Sequence, residues 1–281
     1  MIFVQTKKEL DEEINFFLKN KEIISLVPTM GNLHEGHFSL IEIAKKYSTK
    51  VIVSIFVNPL QFGKNEDFDN YPRTIDKDIK ELKKLDCDLL FFPYKNSEVF
   101  SNINKIKLIK SGQLGKILCG QNRPGHFDGV LTILNKFFKI IDPNIVIFGK
   151  KDYQQFILVR DFIKNNNLNI KIIGGHTIRE PSGLALSSRN NLLCDSEKSI
   201  AAKLYEVLKD IESEKEKLSL DFINLKKDYL ESFGINVDYL ISCDPESFEE
   251  SYEIHNKNLL IAIAANVGKV RLIDNLKLTK L

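Results

Sequence analysis

Residues 23–40 read IISLVPTMGNLHEGHFSL. The run Ile23-Ile24-Ser25-Leu26-Val27 is apolar nearly throughout, as expected for a strand covered on both faces. A tight turn containing Gly31 follows, and the residues after it carry helical spacing, so the stretch predicts a strand, a turn and the start of a helix. His34 and His37 are three positions apart and share a helix face. The first turn of a helix carries N–H groups without intrahelical partners and the positive end of the macrodipole. The expected ligand is therefore an anion, phosphate above all. With 5 His and 14 Gly in 281 residues, His-x-Gly-His arises by chance in about one of two hundred such chains. The plain alternative is two surface histidines on an ordinary helix.

Working outward, strand patterns at 22–27, 51–57, 88–93, 144–148 and 169–173 alternate with helical patterns at 37–47, 73–85, 131–141 and 152–165. That alternation predicts an α/β fold, a doubly wound parallel sheet over residues 1–177. Ligands of such sheets bind beyond the carboxyl ends of the strands. Four segments fall there: the histidine turn, 58–62, 149–155 and 177–179. Beyond them Glu180-Pro181-Ser182-Gly183 reads as a turn. Helices at about 196–215 and 220–232 and strands at 236–242, 258–265 and near 269–273 then make a smaller C-terminal α+β domain over 178–281. Two domains suit the length, at ~150 residues per domain. No internal repeat, low-complexity tract or long linker is present.

The composition, 43% hydrophobic and 28% charged, is that of a soluble globular protein. Lys+Arg 40 against Asp+Glu 38 gives a net charge of +2 without single-sign blocks, so the footprint of a nucleic-acid binder is missing. Cys87, Cys119, Cys194 and Cys243 form no C-x-x-C pair, which argues against a zinc site or a disulfide framework and for a reducing compartment. The N-terminal MIFVQTKKELDEEINFF lacks the apolar core of a signal peptide, and no apolar run approaches the ~20 residues of a membrane span. A cytoplasmic location without membrane partners is expected.

No G-x-G-x-x-G follows the first strand and no G-x-x-x-x-G-K-[ST] occurs, so phosphate handling falls to the histidine segment and to basic side chains. Lys151, beside Asp152, can reach a polyphosphate as a compact charge; alone it reads as a solvated lysine. Leu186-Ser187-Ser188-Arg189 offers hydroxyls and a guanidinium that grips oxyanions; alone it reads as a serine-rich turn. Taken together, these groups fit nucleotidyl transfer at an α-phosphate by positioned donors. Asn58, Gln61 and Gln155 are neutral amides at strand ends, suited to a hydroxylated carboxylate, although amides often only satisfy loop backbone. Arg123 and His126, in RPGHF, belong to a loop able to close over the site. His176 and His255 read as structural or exposed.

PTMGNLHEGH (28–37), FVNPLQF (56–62), YPRT (71–74), RPGHFDGV (123–130), FGKKDYQQ (148–155), GLALSSRN (183–190) and GKVRLIDN (268–275) resemble the motifs of the pantoate–β-alanine ligases, members of the nucleotidyltransferase superfamily. The resemblance covers most of the chain. It implies a Rossmann-like domain followed by a smaller lid. It also implies ATP-dependent condensation of pantoate with β-alanine through an enzyme-bound pantoyl adenylate, with release of AMP and pyrophosphate. By the same resemblance, Met30, Gly31, Asn32, Leu33, His34, Glu35, Gly36 and His37 line the ATP phosphates, with His37 as proton donor and His34 beside it. Gly149, Lys150, Lys151 and Asp152, with Leu186, Ser187, Ser188 and Arg189, complete the ATP site, and Ile178 meets the adenine through its backbone. Gln61 and Gln155 bind pantoate, Gln61 also lying near β-alanine. Mg²⁺ arrives with ATP, no residue is assigned to a metal, and a homodimer is implied.

The chain departs from the family pattern twice: Lys150 stands where glutamate is usual, and Gly175-His176 where Val-Pro is usual. Two other activities fit parts of the pattern: a nucleotidyltransferase joining a nucleotide to a phosphorylated alcohol, and a non-catalytic nucleotide-binding module. The amide group weighs against the first, since a phosphate acceptor wants more basic contacts. An RNA-binding relative of the synthetases is opposed by the near-neutral charge.

Overall fold

A computed structural model describes residues 1–63, 66–100, 105–255 and 257–280. Its contacts group residues 1–150 and 154–176 into one compact unit, and residues 151–153 and 177–281 into a second.

The first unit is a six-stranded sheet of β1 (Ile2–Val4), β2 (Ile24–Thr29), β3 (Lys50–Ile55), β4 (Leu89–Phe91), β5 (Ile145–Gly149) and β6 (Lys171–Gly175). Every pairing is parallel, in the order β1-β4-β3-β2-β5-β6. The helices are α1 (Lys7–Lys19), α2 (Glu35–Lys45), α3 (Ile75–Lys84), the single turn α4 (Cys119–Asn122), α5 (His126–Ile141) and α6 (Tyr153–Asn165). Strand side chains alternate between faces. Ile24, Leu26, Ile52, Val146 and Phe148 join a core with Leu10 and Phe17 of α1, Phe137 of α5 and Val159 of α6. Val27, Val51, Val53 and Ile147 join another with Leu40 and Ile41 of α2 and Leu82 of α3. Burial on both faces is why these strands lack polar alternation, and it makes the sheet doubly wound as the sequence predicts.

Between β2 and β5 the strand order reverses, the place where such sheets bind ligands. The β2–β3 ladder runs six residues, from Ile24↔Lys50 to Thr29↔Ile55. The β2–β5 ladder holds only Ser25↔Ile145 and Leu26↔Val146. Pro28 accounts for the difference. Thr29 turns toward β3, its carbonyl accepting from Phe56 N–H at 3.0 Å, so the alternate residue Pro28 faces β5 and has no N–H to give it. The sheet parts there, at its carboxyl edge.

β1 and α1 precede the first strand read from the sequence. β1 is three residues long, at the sheet edge, with Ile2 and Phe3 exposed. Too short to show a period, it is recruited by pairing with β4, Ile2↔Leu89 to Val4↔Phe91.

The second unit contains α7 (Asp195–Ala201), α8 (Lys203–Ser213) and α9 (Leu220–Glu231), then β7 (Asn236–Cys243), β8 (Leu259–Val267) and β9 (Val270–Leu278). The strands form an antiparallel sheet β7-β8-β9. Leu204, Val207, Leu208 and Ile211 of α8 and Ile223 and Leu230 of α9 pack with Leu259, Ile261 and Ile263 of β8. The helix expected over 196–215 is broken at Ala202 into α7 and α8. Among the described residues no helix is long and apolar enough to cross a membrane.

Candidate active site

β2 ends in a turn with left-handed backbone at Gly31 (φ 84) and Asn32 (φ 50). Glycine takes such angles without steric cost, and asparagine tolerates them better than most residues. A methyl at 31 would also lie 3.0 Å from Ile55 Cγ2 and 3.2 Å from Asp78 Oδ2. Asp78, buried on α3, holds the turn. Its carboxylate accepts Asn32 N–H and Leu33 N–H, both at 2.9 Å, and the Thr74 hydroxyl at 3.1 Å. The sequence reading missed Asp78; its only signal was Asp76 and Asp78 in an amphipathic helix beginning after YPRT.

His34 is the N-cap of α2 and His37 its third residue. Gly36 N–H donates to His34 Nδ1 at 3.1 Å, and His34 N–H to His37 Nδ1 at 3.4 Å. The rings lie 4.1 Å apart, centroid to centroid. Two N–H groups of the helix start have partners within the turn: Gly36 N–H meets His34 Nδ1, and His37 N–H meets His34 O at 2.7 Å. Because each Nδ1 accepts a backbone proton, the neutral ring carries its own proton on Nε2. Each imidazole is thereby set as an Nε2–H donor.

β3 leads into a 3₁₀ turn, Pro59–Gln61, capped by Asn58. Asn58 is buried: its Oδ1 accepts Leu60 N–H at 3.2 Å, and its Nδ2 donates to Gln61 Oε1 at 3.0 Å and Gly129 O at 3.2 Å. Gln61 Nε2 in turn reaches Met30 Sδ at 3.1 Å. Met30 and Gln61, called from separate motifs, thus meet at the carboxyl ends of adjacent strands. α5 approaches this turn closely. A methyl at Gly129 would lie 2.1 Å from Leu60 O and 2.7 Å from Gln61 N, and backbone cannot swing aside as a side chain can. Gly129→Ala is expected to destabilise the fold by about 1–3 kcal/mol, read from urea unfolding; an unchanged midpoint would show that the turn shifts freely.

The RPGHF segment braces the same turn. Arg123 pairs with Glu66, Nε to Oε1 at 3.0 Å, and its Nη1 lies 3.0 Å from His126 Nε2. His126 Nδ1 faces Gln61 O at 2.8 Å. Burial raises the Glu66 pKa, but the Arg123 hydrogen bond and charge outweigh it and hold the carboxylate below its ordinary value. Gln154 is buried and spent on Cys119 N–H and the Leu114 and Ile117 carbonyls; its neighbour Gln155 is half-buried in the first turn of α6.

β5 ends at Gly149, followed by a 3₁₀ turn over Lys150–Asp152. A methyl at Gly174 would lie 2.5 Å from Lys150 Cε, and one at Gly175 2.4 Å from Leu40 Cδ2. The unusual lysine therefore lies along the strand end, and the unusual Gly175 admits Leu40 of α2. His176 is exposed.

In the second unit, residues 178–186 form a hairpin: Leu186 N–H meets Ile178 O and Glu180 N–H meets Leu184 O, both at 2.9 Å, around Gly183 at φ 91. Its end delivers Ser187, whose Oγ accepts Arg189 N–H at 3.2 Å and caps a 3₁₀ turn over Ser188–Leu192. Ser188 is buried and Arg189 half-buried. Asn190 Nδ2 ties the turn to Ala185 O at 3.0 Å. Lys151 is half-buried and Asp152 exposed.

All four cysteines are free. Burial pushes the Cys87 and Cys243 thiols up to about 12, which makes them poor nucleophiles. Among the described residues no three His, Cys, Asp or Glu are grouped to hold a metal ion.

A family model described as pantoate-beta-alanine ligase matches residues 2–277. The chain belongs to this family. A pantothenate synthetase of Buchnera aphidicola subsp. Acyrthosiphon pisum is 44% identical over 282 residues, covering 99% of each chain. The crystal structure of pantothenate synthetase from Thermus thermophilus superposes with a TM-score of 0.91 at 33% identity, over 98% of this chain and 99% of that one. Pantoate-beta-alanine ligase from Francisella tularensis, complexed with beta-gamma ATP and beta-alanine, gives a TM-score of 0.83 at 37% identity, over 98% of this chain and 97% of that one. In this pantoate–β-alanine ligase the family motifs at 28–37, 56–62 and 123–130 therefore meet at one sheet edge.

Proposed function

We propose that this ligase joins pantoate to β-alanine in two steps at the carboxyl edge of the parallel sheet. A carboxylate is a poor acceptor for an amine because oxide is a poor leaving group. Pantoate therefore attacks the α-phosphate of ATP, expelling pyrophosphate and leaving pantoyl adenylate. The amine of β-alanine then attacks the acyl carbonyl and expels AMP.

The observation that supports this is the contact of Gln61 with Met30 in the turn that leads from β2 to the His34–His37 pair at the start of α2. On this reading the amides take a hydroxy acid and the Nε2–H donors take phosphate oxygens. Gln61 and Gln155 hold pantoate, Gln61 also nearing β-alanine, and Asn58 acts by fixing Gln61. Residues 30–37, Gly149–Asp152 and Leu186–Arg189 hold the nucleotide, and the Ile178 backbone meets its adenine. Two anions must approach each other, so His37, His34, Lys151, Ser187, Ser188 and Arg189 supply the donors that charge transfer at the α-phosphate needs. Mg²⁺ enters with ATP as part of the substrate. Residues 1–177 bind ATP and pantoate, and 178–281 serve as a lid that keeps water from the adenylate. A homodimer is the working form, and the free thiols support a reducing cytoplasm as its setting.

With ATP, Mg²⁺, pantoate and β-alanine, AMP and pyrophosphate should accumulate in turnover amounts only when both organic substrates are present. Pantoate labelled with ¹⁸O in its carboxylate should pass one label to AMP. ADP formation, or unlabelled AMP, would overturn the assignment.

A further inference from the structure

The C-terminal GKVRLIDN segment has no part in the site as read above, yet it reaches one of its members. We propose that Asn275, on β9, is a positioning residue for Lys151. The proposal rests on the reading that Lys151 acts on the triphosphate. Residues 151–153 group by their contacts with 177–281 and not with the chain on either side of them. Tyr153 meets the Phe248 ring, and the side chain of Asn275 ties the lysine itself: its Nδ2 donates to the Lys151 carbonyl at 2.8 Å, across 124 residues of sequence.

The donor is itself well held. Asn275 pairs with Ala262 inside the β8–β9 ladder, and its N–H meets Asp274 Oδ1 at 2.8 Å. Asp274 is buried and grips Arg179, Nη2 to Oδ1 at 2.9 Å, while the guanidinium lies over the Tyr205 ring at 3.7 Å. Lys151 is half-buried and lines a small cavity with Leu184, Tyr205 and Asp274. A lysine stem is flexible along its four carbons, so the part of its position that can be set in advance is its backbone. Asn275 sets it, and its loss costs alignment and not charge.

The test is a double-mutant cycle on the full chain with Asn275→Ala, Lys151→Ala and both. Asn275→Ala is expected to lower kcat about 10–100-fold, the range for a misplaced catalytic group, with KM for β-alanine within about twofold of the parent. In the Lys151→Ala background the same substitution should change kcat by less than about twofold, because nothing remains for Asn275 to place. Equal fold-losses in both backgrounds would overturn the proposal, as would full activity of Asn275→Ala beside an impaired Lys151→Ala. A fully active Lys151→Ala would instead remove the site reading and the proposal with it. Should Asn275→Ala fail to fold, Asn275→Asp keeps the shape without the donor, and the cycle is read on it.

Discussion

Turnover of a His37→Ala variant should fall about 10²–10³-fold, the loss typical of removing one transition-state donor. The expectation follows from how the ring is held. His37 Nδ1 accepts the His34 N–H, which leaves Nε2 of the neutral imidazole as the donor that the proposed reaction would use toward a phosphate oxygen. An alanine removes that donor and also leaves the N-cap N–H of α2 without its partner. The capping loss is a stability effect of about 0.5–2 kcal/mol, which unfolding measurements separate from the kinetic one. Pyrophosphate release at saturating ATP, pantoate and β-alanine gives the rate. A near-parental rate with lowered stability would leave His37 a capping residue and nothing more.

The second large effect is expected at a residue outside every motif match to the nucleotide. Asp78→Ala should destabilise the first unit by about 2–5 kcal/mol, because two buried N–H groups and a hydroxyl lose a charged acceptor at once. Asn32 holds a left-handed backbone angle (φ 50) in the turn that Asp78 clamps, and without the clamp that angle is no longer over-determined. Activity should therefore fall together with stability. Asp78→Asn keeps one acceptor and turns an NH₂ toward the other N–H, so it should lie between alanine and the parent. Urea unfolding of the three proteins orders them. A loss below about 1 kcal/mol for Asp78→Ala would mean the turn finds other partners and Asp78 does not shape it.

Much of the candidate site is proposed from residue types alone, before the fold is known. The imidazole pair, the lysine after the fourth strand pattern and the Ser-Ser-Arg turn each carry chemistry in their own residue types, and the β-α-β rhythm places the first two segments at strand ends. Less legible was what each group does with its own hydrogen bonds. Asn58 reads as one of three amides for a substrate, yet its polar atoms meet Leu60, Gln61 and Gly129. Arg123 and His126 read as a closing loop, yet they brace the carbonyl of Gln61. Both outcomes depend on α5 passing close to the 3₁₀ turn at Gly129, a contact between segments some seventy residues apart.

The linear chain is enough to establish the strand and helix rhythm, the doubly wound class, the histidine turn and the absence of a P-loop or dinucleotide fingerprint. These follow from periodicity and turn chemistry, which act between residues a few positions apart. Folding in three dimensions settles which strands are neighbours, that the ladder between β2 and β5 stops short of Pro28, that a buried carboxylate on α3 clamps the histidine turn, and that the Lys151 backbone answers to the last strand. Those depend on hydrogen bonds and packing between distant segments. Their partners carry no local mark, because an aspartate or asparagine looks the same in sequence whether it meets water or a backbone fifty or a hundred residues away.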